Sequence, residues 1–191
     1  MARPAFARRD FLDAALALAA TGGPPAVTVG SVSRLLKAPT GSFYHRFPSR
    51  DALLGELWLR TVQAFQDGVR AASDSGDWLG VALHTPRWVR EHLDEGRLLL
   101  LYHRDDFVSG EWPAALREGV GAQTRAFEAA HRRFACEVLG DPGPDGLRRA
   151  QFVLSEVPVA AVRQHLRRGE PPPPIVDDLI RATYHAIVRS A

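Results

Sequence analysis

The side chains best suited to chemistry in this chain are Thr40-Gly41-Ser42, then Tyr44-His45-Arg46, with Arg50 four residues further on. Small and hydroxylated residues let a backbone come close to another molecule, while a phenol, an imidazole and two guanidiniums add donors at nearby positions. This is chemistry for recognising a polyanion, because such donors meet phosphate oxygens and base edges. The positive end of a helix adds to the attraction for anions. Phe43 and Phe47, four apart, share one helical face that must turn into a core. Catalytic chemistry has no comparable support. The seven histidines come with no nucleophile motif, no glycine-rich phosphate loop and no metal-ligand cluster.

The elements that must hold these donors can be read from the flanking residues. Thr28 is a good N-cap, since its hydroxyl can accept from the first turn of a helix. Val29, Val32, Leu35 and Leu36 then recur on one helical face. Lys37-Ala38-Pro39 ends that helix, because proline disfavours helical geometry at the residue before it. Pro39 can open the next helix, where its missing N–H costs nothing, and Pro48 stops it. A helix, a three- or four-residue turn and a short polar helix make a helix-turn-helix, whose second helix enters the DNA major groove.

From Thr28 to Leu54 the run TVGSVSRLLKAPTGSFYHRFPSRDALL resembles, without a gap, the N-terminal DNA-binding signature of the tetracycline-repressor (TetR) family. The resemblance covers roughly residues 8–60. Gly41, Tyr44, Phe47, Pro48, Ser49 and Leu53 match the family's pattern. Lys37 stands where the family usually has its turn glycine, Pro39 replaces a small polar cap, and Arg50 replaces a lysine, keeping charge but not geometry. The resemblance implies a transcriptional regulator with a helix-turn-helix DNA-binding domain over residues 1–49 and a helical effector-binding and dimerisation domain over 50–191. With the spacing argument, it makes Thr28, Thr40, Gly41, Ser42, Tyr44, His45, Arg46 and Arg50 the candidate DNA contacts.

Charge is distributed to match. Residues 1–50 carry seven bases against two acids, net +5, and residues 51–191 carry 17 bases against 20 acids, net −3. A basic first quarter on an acidic body is the footprint of a nucleic-acid reader. Apolar residues make up 46% of the 191, enough for a sizeable core, yet no apolar run approaches the roughly 18 residues of a membrane span. The early arginines exclude a signal-peptide apolar region. The single Cys136 agrees with a reducing compartment, so a cytoplasmic protein is expected.

The remaining periodicity is helical throughout, giving an all-α expectation of about nine helices. A first helix spans about 4–20 through Leu12, Ala15, Leu16 and Ala19, and Arg3, Arg8 and Arg9 near its start could touch DNA backbone. A long helix follows Ser49 to about Ala72, burying Leu54, Leu57, Trp58, Thr61, Val62, Phe65 and Val69. Helices are predicted over about 77–93, with a kink at Pro86, over 97–103 after an Asp94-Glu95-Gly96 turn, and from Glu111-Trp112-Pro113 to about Leu139. Residues 105–110 read as loop. A helix over 145–168 should bend at Pro158, and Pro171 to Pro174 form a stiff connector to a final helix carrying Val176, Leu179, Ile180, Thr183, Tyr184 and Ile187.

The resemblance implies a two-fold homodimer through the last two helices, which would set two recognition helices about 34–36 Å apart on a palindromic double-stranded operator. The middle of the chain should then bind a small-molecule effector. Candidate pocket residues are Trp78, Trp88, Tyr102, His103, Phe107, Trp112, Phe127, Phe152 and Glu156, with His84 and His92 as further polar candidates. Aromatics at such spacing also serve as plain core. His84, Glu91 and His92 lack metal-ligand spacing, so no zinc site is expected; no cofactor is expected either, and Cys136 reads as a core residue. The expected function is a repressor released from DNA by a ligand. The alternatives are a DNA-binding regulator controlled by a protein partner or by no ligand and, further off, a helical enzyme.

Overall fold

The computed structural model describes residues 6–107 and 114–190. Its elements run α1 (Arg8–Gly22), a 3-10 turn (Pro24–Ala26), α2 (Val29–Leu36), α3 (Thr40–Tyr44), α4 (Arg50–Asp74), α5 (Trp78–Glu91), α6 (Leu93–Leu101), α7 (Arg104–Phe107), α8 (Ala114–Glu137), α9 (Pro144–Gln151), a π turn (Phe152–Glu156), α10 (Val157–Arg168) and α11 (Ile175–Arg189). No strand occurs among the described residues. Counting α9 to α10 as one rod and leaving out the one-turn α7 gives nine helices among them.

Two apolar cores organise the molecule. In the first, Phe11, Leu12, Ala15, Leu16 and Ala19 of α1 pack on Val32, Phe43, Phe47 and the start of α4 (Leu53, Leu54, Leu57, Trp58). Leu98 of α6 and Phe107 of α7 join this core, so the head is closed by residues far down the chain. The second core gathers Val69, Trp78, Val81, Leu83, Trp88, Phe134, Leu154, Val162, Leu166, Ile180 and Tyr184. Helix α4 runs from one core into the other.

Several elements differ from the sequence expectation for identifiable reasons. Asp94-Glu95-Gly96 is the first turn of α6 and not a break, because two carboxylates there complement the helix dipole. Gly96 is needed, since a Cβ at this site would stand 2.9 Å from Val89 Cγ2. Residues 104–107 form a helical turn in place of the expected loop, closed by the His103 N–H donating to Asp106 Oδ2 (2.8 Å). Pro86 is buried within an unbroken α5. The predicted disturbance at Pro158 takes the form of a π turn just before it, with the Val157 N–H reaching back to the Phe152 carbonyl. Such a widened turn accommodates the N–H that proline lacks. Cys136, expected in the core, is exposed.

Arginines tie the connections down. Arg90 donates from Nε to the Pro172 carbonyl (2.8 Å) and pairs with Asp177, fixing the proline connector. Arg97 links the first core to the rod, donating to the Ala20 carbonyl (2.8 Å) and to the Leu166 carbonyl (2.6 Å).

Candidate functional site

Helices α2 and α3 meet at a turn held by the Lys37 N–H to the Arg34 carbonyl (3.1 Å) and the Ala38 N–H to the Ser33 carbonyl (2.9 Å). Lys37 is left-handed, with φ 53° and ψ 34°. A glycine would take that conformation without a Cβ penalty, which explains why this departure from the family's pattern matters locally. Thr28 caps α2 as expected, its hydroxyl accepting from the Ser31 N–H at 3.0 Å while the Ser31 hydroxyl accepts from the Thr28 N–H at 2.8 Å. Pro39 precedes α3, and the Ser42 N–H bonds to its carbonyl at 2.8 Å.

The aromatic underside of α3 is rigid. Phe43 and Phe47 are fully buried, with centroids 5.9 and 6.3 Å from Phe11 and 5.8 Å from each other. Its outer side is bare. Thr40, Gly41 and His45 are exposed, Ser42 is half-buried, and Tyr44 keeps 58% of its surface in solvent. A Cβ built on Gly41 would meet nothing within 4 Å. No neighbour within the protein therefore demands a glycine there, although glycine weakens a helix. The absence of a side chain clears a path for something outside the chain.

Three candidate contacts are turned partly or wholly inward. Arg46 donates to the Ser42 carbonyl (3.1 Å) with its guanidinium 5.7 Å from the Phe11 ring. Arg50 donates from Nε to the Val27 carbonyl (2.5 Å) and from a terminal nitrogen to the Pro24 carbonyl (2.7 Å), and it also meets Asp51 at 3.2 Å. Its fork thus ties the loop before α2 to the start of α4, and does not reach outward to a phosphate as its place in the sequence predicts. Arg8 is used similarly: it pairs with Glu56, donates to the Arg46 carbonyl, and lies 4.2 Å from the Phe47 ring centroid. The hydrogen bond to Glu56 raises its pKa further above the ordinary arginine value. Arg9 is exposed, and Arg3 lies outside the described residues.

Residues 11–57 match the family profile of bacterial regulatory proteins, tetR family. Over this stretch, and not over the rest of the chain, the sequence is similar to the TetR family. Solved structures of TetR-type regulators share its fold over nearly the whole length. Over 97% of its residues the chain superposes on the transcriptional regulator FadR from Bacillus subtilis, solved in complex with stearoyl-CoA, covering 100% of that chain at 13% identity and TM-score 0.68. The ketosteroid transcriptional regulator KstR2 of Mycobacterium tuberculosis is matched over 96% of this chain and 93% of its own, at 16% identity and TM-score 0.65. The TetR family transcriptional regulator PfmR from Thermus thermophilus gives 94% and 97% coverage, 18% identity and TM-score 0.62. No curated protein matches the sequence.

The body of the chain holds a partly open cavity of about 330 Å³. Its walls come from α4 (Trp58, Val62, Phe65, Gln66, Val69), α5 (Val81, Thr85), α6 (Leu99, Leu100), α7 (Arg104), α8 (Thr124, Phe127, Ala130, His131), the π turn (Leu154, Ser155) and Val159 of α10. That volume falls at the low end of the roughly 300–1,000 Å³ usual for small-molecule sites. Trp58 belongs to the head core, 5.2 Å from the Phe107 ring centroid, and also lines the cavity.

Of the pocket residues expected from sequence, the structure places only Phe127 in this wall. Trp78 packs on Phe134 (5.5 Å) and Trp88 on Phe65 (5.2 Å), both as core. Tyr102 and Phe107 close the head, with centroids 6.2 Å apart. His103 is exposed, Phe152 is 39% exposed, and Glu156 pairs with Arg148 on the surface. Trp112 lies outside the described residues. Trp78, Trp88, Tyr102 and Phe107 fill the two cores, where rings pack against one another, while Trp58, Phe65 and Phe127 share the cavity wall with aliphatic and polar side chains. The residues that sequence reasoning misses include His131, Gln66 and Ser155. Trp58, Val62, Phe65 and Val69 are legible in the sequence as the inner stripe of α4, and Gln66 lies next to that stripe.

His131 is buried, and its Nε2 stands 2.7 Å from the Ser155 hydroxyl. Burial lowers its pKa, opposed by a hydrogen bond from the ring to the Phe127 backbone carbonyl and by the charge of Glu128. His84 does not line the cavity. It bonds through Nε2 to the Phe65 carbonyl (2.8 Å), and burial lowers its pKa as well. Its ring rests on Gly68, where a Cβ would come within 2.2 Å of Cε1. His92 stacks on Trp88 at 5.0 Å. No cluster of three or more potential metal ligands occurs among the described residues, and no described helix is long and apolar enough to cross a membrane.

Proposed function

We propose that this chain is a ligand-responsive, sequence-specific repressor that leaves its operator when a small molecule enters the cavity. The observation that carries the reading is the double role of α4. Leu53, Leu54, Leu57 and Trp58 anchor it in the head core, and Trp58, Val62, Phe65, Gln66 and Val69 form one wall of the cavity. An occupant that favours a displaced α4 necessarily favours a displaced head, so ligand binding and operator binding are linked. A DNA-binding unit over residues 1–49 and an effector-binding and dimerisation unit over 50–191 are the working division. Thr40, Gly41, Ser42, Tyr44 and His45 are the groups available to DNA, with Arg46 released from Ser42 on docking.

The functional unit in this reading is a two-fold homodimer on a palindromic operator, acting in the cytoplasm. Phe152, Ile175 and Leu179, at 39%, 55% and 60% exposure, are large apolar side chains left in solvent on the rod and α11. A second copy would cover such a surface. The acyl chain of the stearoyl-CoA bound by the Bacillus subtilis FadR and the ketosteroid in the name of KstR2 support an effector with a large apolar part.

Selection of tight binders from a random duplex library tests the reading, followed by titration of the selected duplex at several salt concentrations. The expected outcome is a palindromic site, one dimer per site, and an affinity that falls steeply with salt. Retention without sequence preference, or a monomer at micromolar concentration, would overturn it. A metabolite screen for release of the duplex then tests the ligand.

A further inference from the structure

Within the cavity the described lining residues supply polar groups but no buried charge. Gln66 borders it, and its Oε1 is buried with no hydrogen-bond partner among the described residues. His131 and Ser155 satisfy each other at 2.7 Å, and burial holds the imidazole toward its neutral form. Among the described lining residues Arg104 alone is charged; it is exposed and already paired with Asp105 at 3.1 Å. The rest of the wall is mainly aliphatic and aromatic.

From this distribution we infer that the cavity recognises an uncharged apolar molecule bearing a hydroxyl, which hydrogen-bonds to the Gln66 carboxamide. An ion fits poorly, because no described side chain of the buried wall carries an opposite charge and desolvating an unpaired ion is costly. A pure hydrocarbon leaves Gln66 Oε1 unsatisfied, the costly state for a buried acceptor. A hydroxyl can both donate and accept, so it serves either end of the carboxamide. The inference rests on the reading of the cavity as the effector site, and names the class of molecule that fills it.

The test uses four probes built on a ten-carbon chain with the full-length protein: 1-decanol, its methyl ether, decylamine and decanoate. Binding is followed by intrinsic tryptophan fluorescence, since Trp58 lines the cavity. Decanol is expected to bind about tenfold tighter than the ether, the worth of one hydrogen bond, and tighter than either ion. Gln66→Met, close in shape, should abolish the alcohol-over-ether preference, while thermal melting confirms that the variant is folded. A Gln66→Leu variant, which also cannot hydrogen-bond, gives a second, independent reading should the methionine distort the wall. Equal binding of alcohol and ether, tighter binding of either ion, no binding by any probe, or a preference that survives both substitutions would overturn the inference. Operator release is measured separately. Decanol that binds as expected without releasing DNA would leave the ligand class standing and overturn the effector reading; failure of all four probes with a later effector of another class would do the reverse.

Discussion

Adding a methyl group at Gly41 separates stability from function. In the free protein a Cβ there meets nothing within 4 Å, and the residue lies in α3 with no positive φ. Gly41→Ala should therefore stabilise the fold by about 0.5–1 kcal/mol, since glycine in a helix is worse than alanine by that amount. For a chain of this length the melting temperature should rise by about 1–4 °C. On DNA the same methyl intrudes between α3 and the duplex and pushes at least one charge-assisted hydrogen bond out of range. Such a bond is worth about 1.5–3 kcal/mol, equivalent to roughly a tenfold to hundredfold loss of affinity. The assay is paired: thermal denaturation of the free protein, and fluorescence-anisotropy titration with the selected operator. A variant with a raised melting temperature and operator affinity within twofold of the parent would refute the placement of α3 against DNA. A lowered melting temperature would refute the open space around Gly41.

Arg50→Ala should lower stability by about 1–3 kcal/mol, because the Val27 and Pro24 carbonyls lose a charged donor. It should leave the salt dependence of operator binding unchanged; a melting temperature equal to the parent's with a salt slope reduced by about one would restore Arg50 as a phosphate contact. Lys37→Gly should stabilise by about 0.5–1 kcal/mol in chemical denaturation, since it relieves a left-handed non-glycine residue. No gain there would show the turn to be unstrained. The lowered pKa values of His84 and His131 fix the sign of an acid effect. Their contribution is fully present above the ordinary 6.5 and is lost as pH falls from there toward the lowered folded values, because the unfolded chain takes up the protons first. Melting temperatures measured from pH 7.5 down to 5 should fall, and less so in the His84→Gln, His131→Gln double variant; parallel curves would count against buried neutral imidazoles.

Local signals in the chain are strong where one residue acts on its own backbone. The Thr28 cap, the break at Pro39, and the spacing of Phe43 and Phe47 depend on neighbours within a few positions, so the helix-turn-helix is legible in the residues alone. The same reasoning overreaches at Asp94-Glu95-Gly96 and at residues 104–107. There, turn-forming residues are recruited into helices because Leu98 and Phe107 are needed to close the head core. Arg50 and Arg8 show a related effect: a guanidinium near a basic surface looks available for phosphate, yet carbonyls left over at helix ends, and Glu56 in the case of Arg8, claim it first.

What the sequence determined by itself is the helical character of the chain, the DNA-binding head and the excess of positive charge upon it, since these follow from short-range periodicity, capping and composition. Which polar groups face the cavity, and which aromatics only fill a core, was decided by tertiary structure. Gln66, His131 and Ser155 come from α4, α8 and the π turn, and no spacing along the chain encodes their meeting. Their relation depends on how six helices and the π turn leave a gap between two cores, a property of packing in three dimensions.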